Sequence, residues 1–173
     1  MGKKVIRVAL TTQSIDKALR ELKRYKQDFL RKVELLRQRV AEELAKEAES
    51  GFNGALVDDL VKGTPRIAQV DVTVDDRGTV TAVIADGEDA VWVEFGAGVY
   101  YNGSPGSSPH PHGAELGFTI GSYGKGYGKK NVWGFYEDGE LKLTHGTPAQ
   151  MPMARAVITV CQDVEKIARE VFG

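Results

Sequence analysis

The chain carries a single cysteine, Cys161, in 173 residues. That excludes an internal disulfide framework and fits a reducing compartment, with Cys161 expected to face the core from a terminal helix. Long apolar runs are missing as well. No stretch reaches the roughly 18 residues needed to span a bilayer, and the start of the sequence lacks the apolar segment of a signal peptide. A chain made in the cytoplasm, with no membrane partner, is the expectation. Gly2 follows Met1, but Ile6 stands where a myristoylation site requires Ser or Thr, which removes lipidation. A net charge of only -1 supplies no global field toward nucleic acid or membrane.

What is present is local. The length suits one domain with a respectable core and is too short for two full ones. Residues 1–39 hold twelve Lys/Arg against four Asp/Glu, an excess of eight positive charges, whereas residues 58–98 hold three against nine, an excess of six negative ones. Two readings fit: two solvated faces of opposite sign, or a basic half of one copy meeting the acidic half of the next. Such a head-to-tail contact closes into a ring when its rotation allows.

Lys3 to Leu10, rich in β-branched residues, reads as an N-terminal strand. Ser14 is placed to cap a helix over Ser14 to Ser50, in which Ile15, Leu19, Leu22, Phe29, Val33, Leu36, Val40, Leu44 and Ala48 recur at steps of three and four. Tyr25 or Lys26 fills the gap before Phe29. At roughly 1.5 Å per residue this helix is about 50 Å long, more than such a domain needs, so part of it is expected to pack on a neighbour. Gly51 to Pro65 reads as a connection with one helical turn near Leu56 to Val61. A hairpin follows, Ala68 to Val74 and Thr79 to Ala85 around Asp75-Asp76-Arg77-Gly78, whose acidic pair is read as turn chemistry. Asp86 to Phe95 reads as a short helix with Trp92 and Phe95 at spacing three. Val132 to Phe135 and Leu141 to Thr144 frame Glu137-Asp138-Gly139-Glu140 as a second hairpin. Ala149 to Phe172 completes the chain as a helix with a core stripe of Val157, Cys161, Val164, Ala168 and Val171.

The stretch from Val91 to Met153 organises the rest. It opens with Val91-Trp92-Val93-Glu94-Phe95-Gly96-Ala97-Gly98 and closes with Thr144-His145-Gly146-Thr147-Pro148-Ala149-Gln150-Met151-Pro152-Met153. Between them lies a Gly/Ser/Pro-rich loop, residues 99–131, too long for a simple connection. Its composition cannot bury much apolar surface unaided, so its middle is expected to order on a partner. Gly96 and Gly98 allow a sharp exit from the short helix, while Thr147 and Pro148 are placed to start the last one.

Few residues in this loop carry chemistry. His110 and His112, with His145 downstream, invite a metal reading, but zinc normally takes three or four well-placed ligands and Pro111 holds the first two extended. A Ser104, Ser107 or Ser108 nucleophile with His110 lacks a Gly-x-Ser-x-Gly elbow. Gly121 to Lys130 contains no P-loop register. Tyr123 and Tyr127, interleaved with Lys125, Lys129 and Lys130, suit base stacking and phosphate pairing, or docking on a protein neighbour. Glu94 is a lone carboxylate, fit to cap a helix or pair with a cation.

The long helix, the intervening hairpin, Val93-Glu94-Phe95-Gly96-Ala97-Gly98, and His145-Gly146-Thr147-Pro148-Ala149-Gln150-Met151-Pro152-Met153 before the last helix together resemble the tailed-bacteriophage neck family, the head-tail joining or tail-completion proteins. The likeness spans nearly the whole chain in element order, and its specific residues are the two brackets. It implies a structural virion protein, made in the host cytoplasm, that forms a ring at the neck or tail terminus, with a hexamer the expected closure. It also implies neighbours among connector, tail tube or sheath proteins, nonspecific passage of DNA, and neither catalysis nor a cofactor. Where the family pattern has Pro-Phe-Met, this chain has Met151-Pro152-Met153, which leaves open a siphophage tube, a contractile tail or a headless particle.

The expected fold is therefore α+β: an antiparallel sheet, built from the N-terminal strand and two hairpins, with a long N-terminal helix, a C-terminal helix and a long Gly-rich loop. Tyr101, His110, His112, Tyr123, Lys125, Tyr127, Lys129 and Lys130 are the expected interaction residues. A DNA-binding or DNA-channel module using the basic loop is the first alternative. A metal-dependent hydrolase around His110, His112 and His145 is the second.

Overall fold

A computed structural model describes residues 5–57, 59–97, 108–118 and 132–173. The fold is α+β, dominated by α1 (Thr12–Phe52), a helix of 41 residues. Ser14 is not its cap. The Thr11 hydroxyl accepts the Ser14 amide at 3.3 Å, and the Ser14 hydroxyl accepts the Ala9 amide at 2.8 Å, so the helix starts two residues early. It also runs past Gly51, which serves as a contact rather than a break: a Cβ there would lie 2.7 Å from the Pro152 Cβ. Asn53 and Gly54 end it, with Gly54 at φ 81°.

The expected N-terminal strand is absent from the described residues 5–10, which are irregular and mostly exposed. Strand propensity reflects fit to a pleated, paired surface, and no described strand lies beside this segment. Nor does Leu56 to Val61 form a helical turn. Leu56–Val57 (β1) pairs with Arg66–Ile67 (β3), and Asp59–Leu60 (β2) pairs with β7 (Glu140–Gly146). Val57 is almost fully buried, an apolar anchor that outweighs the local sequence preference.

The first hairpin joins β4 (Asp71–Asp76) to β5 (Thr81–Asp86), with its turn two residues later than expected, at Arg77 to Val80. It lies against α1: Arg37 reaches Asp76 at 3.0 Å and also bonds the Gly78 carbonyl. The Gly78 amide, working against desolvation and joined by Gln38, Arg37 and Thr81, holds the Asp76 carboxyl below its ordinary range. The second hairpin, β6 (Trp133–Glu137) with β7, turns through Asp138 and Gly139, both at positive φ, as a two-residue type I′ loop requires. Among the described residues, three small antiparallel sheets, ordered β1-β3, β2-β7-β6 and β4-β5, stand in place of the one expected.

The short helix α2 is Ala90–Phe95, starting later than Asp86 because Asp86 still pairs with Asp71 in the hairpin. Its buried face is Ala90, Val93 and Glu94. Asp89, just before it, is tied by two 2.7 Å bonds to Arg66 and accepts the Gln69 amide at 2.9 Å. Burial alone would raise its pKa, but the hydrogen bonds from Arg66 and Gln69 and the Arg66 charge outweigh it and hold the carboxyl below the usual range.

The last helix, α3 (Pro152–Phe172), runs antiparallel to α1, from the Gly51–Pro152 contact to a Phe29–Phe172 ring contact at 5.8 Å. Its core stripe is Pro152, Ala156, Val160, Ile167 and Val171. Val157 and Cys161 are exposed, contrary to expectation. The helix carries a second apolar row, Ala154, Val157 and Ile158, so periodicity alone permits more than one register. The main core gathers Phe52, Ala55, Val57 and Val93, with Val70, Val72 and Met153 packed against it. Among the described residues, no helix is long and apolar enough to cross a membrane.

The α1 stripe divides in two. Ala48 is fully buried, and Leu36, Val40 and Leu44 are half-buried. Ile15, Leu19, Leu22, Tyr25 and Phe29 are each 42–55% exposed. The residues from Thr12 to Asp28, about 25 Å of helix, project beyond the Phe29–Phe172 contact that marks the end of α3.

Candidate functional site

The two brackets form one structure. Ala97 and Thr147 exchange backbone hydrogen bonds at 2.7 and 3.2 Å, and the Val93 carbonyl accepts the Gln150 and Met151 amides. Gly96 makes this closeness feasible: it adopts φ 79°, and a Cβ there would lie 2.9 Å from the Ala149 nitrogen. Gly98, the other expected hinge, lies outside the described residues.

Glu94 is 6% exposed and closes the start of α3. Neither Thr147 nor Pro148 does so; the helix begins at Pro152, behind Met151 in left-handed geometry with no side-chain cap of its own. Pro152 has no amide hydrogen to satisfy. The Met153 and Ala154 amides donate to the two Glu94 oxygens at 2.8 and 2.9 Å, and Arg155 donates to the Met151 carbonyl. Every first-turn donor is thereby paired, by a carboxylate where the helix dipole favours negative charge.

His110 supplies a third donor to Glu94. Its Nε2 lies 2.9 Å from Glu94 Oε1, while its Nδ1 accepts the His112 amide at 3.0 Å, which assigns the proton to Nε2. The ring also packs 4.3 Å from Phe95, which stacks on Phe118 at 4.2 Å. Ser108 Oγ donates to the Phe95 carbonyl, and the Ser108 amide donates to the Phe118 carbonyl at 3.0 Å. Residues 108–118 are thus pinned onto α2, which corrects the expectation that the middle of the loop as a whole stays free until a partner orders it. The buried His110 ring and the half-buried Phe95 and Phe118 rings supply apolar contact that a count of glycines and serines hides.

Of the expected interaction residues, His110 is buried in this junction and His112 is exposed beside it, its Nδ1 3.1 Å from Glu115. Tyr101, Tyr123, Lys125, Tyr127, Lys129 and Lys130 lie outside the described residues. Both His110 ring nitrogens are engaged by protein groups, so metal binding there would break the Glu94 or the His112 bond. Among the described residues, no group of three or more His, Cys, Asp and Glu side chains comes together as a metal shell. Ser108 meets the His110 amide and not its ring, so these two form no nucleophile and base pair.

Beside the junction lies an apolar recess of about 630 Å³. Val91 and Phe95 of α2, Pro111, and Met153, Val157 and Ile158 of α3 form its walls. Val91, Val157 and Ile158 are about half exposed. Glu94 and His110 lie at its edge with their polar atoms turned to each other and to α3.

No protein-family model, curated protein or solved structure matches the chain.

Proposed function

We propose that this chain is a structural subunit of a tailed-phage neck or tail terminus, or of a tail-like particle, assembling copy against copy into a ring that joins or completes the tail. The supporting observation is the exposed apolar row of Ile15, Leu19 and Leu22 on a helix that outruns its intramolecular partner. An uncovered row of this length marks an interaction surface. The Glu94 junction fits the same reading, because its polar atoms are spent on locking α2, α3 and residues 108–118 into a rigid body. The virion setting and the tail neighbours rest on the resemblance carried by the two brackets.

Light scattering on the intact chain, with negative-stain imaging, tests the proposal: closed rings are expected, and a monomer at all concentrations contradicts it. The basic excess in residues 1–39 favours a second reading, a DNA-channel module. A strongly salt-dependent shift of labelled DNA by a monomeric chain would replace the first reading with the second.

A further inference from the structure

We infer that the projecting first half of α1 seats in the recess between α2 and α3 of a second copy of this chain. The inference rests on the ring reading and names the surfaces that make it. Two apolar features stand open: the row Ile15, Leu19 and Leu22, and the recess walled by Val91, Met153, Val157 and Ile158. They cannot meet within one molecule. The recess lies at the Pro152 end of α3, which touches α1 at Gly51, whereas Leu22 is 29 residues earlier on the same helix, about 43 Å away along its axis. No Gly or Pro interrupts α1 between them, so the helix has no point at which to fold back.

Charge selects the same pairing. The projecting segment, residues 12–28, carries Lys17, Arg20, Lys23, Arg24 and Lys26 against Asp16, Glu21 and Asp28. At the recess, the turn between Ala85 and Ala90 presents exposed Asp86 and Glu88, and Glu115 is exposed on the 108–118 segment. A basic helix with an apolar row therefore faces an apolar trough with an acidic margin. Two differing surfaces can meet head-to-tail, the kind of contact that propagates around a ring, and the ring reading requires that form; a reciprocal exchange between two copies would close as a dimer instead.

The test is site-directed cross-linking in the full chain. In a Cys161→Ser background, a chain bearing Leu22→Cys is mixed with one bearing Ile158→Cys under mild oxidation, and light scattering is run on each. The expected result is a covalent heterodimer, and a ladder of higher species when both substitutions share one chain. Leu22→Asp, at an exposed position that leaves helix content by circular dichroism unchanged, is expected to remove the assembled peak. If the chain assembles but only Leu22→Cys homodimers form, α1 pairs with α1 and the inference fails while the ring reading stands. If assembly survives Leu22→Asp and no cross-link appears, the recess is filled by something else, and again only the inference fails. A parent chain that stays monomeric overturns both.

Discussion

The Glu94 carboxylate accepts the Met153 amide at 2.8 Å, so α3 is capped by a side chain 59 residues upstream. A local cap would fix one helix end. This one makes the start of α3 conditional on the position of α2, and the bond to His110 adds residues 108–118 to the same condition.

Replacing Glu94 should therefore cost more than an ordinary cap. Glu94→Ala strands the His110 Nε2 proton and two helix amides in a buried place, and a loss of about 2–4 kcal/mol is expected from combined cap and unsatisfied-donor penalties. Glu94→Gln keeps one acceptor oxygen and should lose less. Thermal melts followed by circular dichroism measure both; a Glu94→Gln loss equal to that of Glu94→Ala would show that a single acceptor oxygen is of no use here, and no loss at all in Glu94→Gln would show that the carboxylate's second oxygen is idle.

Gly96→Ala should destabilise by about 1–3 kcal/mol, since φ 79° is strained for alanine and the added Cβ meets the Ala149 nitrogen. Gly54→Ala is the matched control: its φ is 81°, but nothing lies within 4 Å of the added carbon. Urea midpoints should fall further for Gly96→Ala than for Gly54→Ala.

Asp89 predicts an acid limb. Its folded pKa lies below the ordinary value of 3.8, so its contribution is present above that value and fades as pH falls through the lowered one. In that window the unfolded chain binds more protons and stability rises with pH. Asp89→Asn should flatten this part of the urea-midpoint profile relative to the parent chain. Unchanged steepness would mean that other carboxylates set it.

Deleting residues 101–130 would remove more than a glycine-rich loop, because it also takes His110 from Glu94 and Phe118 from its stack on Phe95. The shortened chain should melt well below the parent; an unchanged melting temperature would show that residues 108–118 contribute little.

Legibility in the sequence followed the range of the interactions. The α1 stripe and the Asp138-Gly139 turn are local patterns, and both were readable from periodicity and turn chemistry. The strand expected at Lys3 to Leu10 and the turn expected at Leu56 to Val61 depended on what lay alongside, which propensity does not encode. Val157 and Ala156 are adjacent in sequence, and only packing against α1 decides that the second faces inward. Glu94 was readable as a cap or ion-pair partner, but not as the cap of a helix starting at Pro152. His110 drew attention as a ligand or contact residue; its actual partner, sixteen residues earlier, has no spacing signature.

Hydrogen exchange at the amides of Ser14 to Phe29, followed as chain concentration rises, tests most directly whether the projecting half of α1 is an assembly surface. Exchange that slows in step with the growth of the assembled species is predicted. Exchange in this segment that stays fast while the chain assembles, or stays the same at every concentration, would contradict the account.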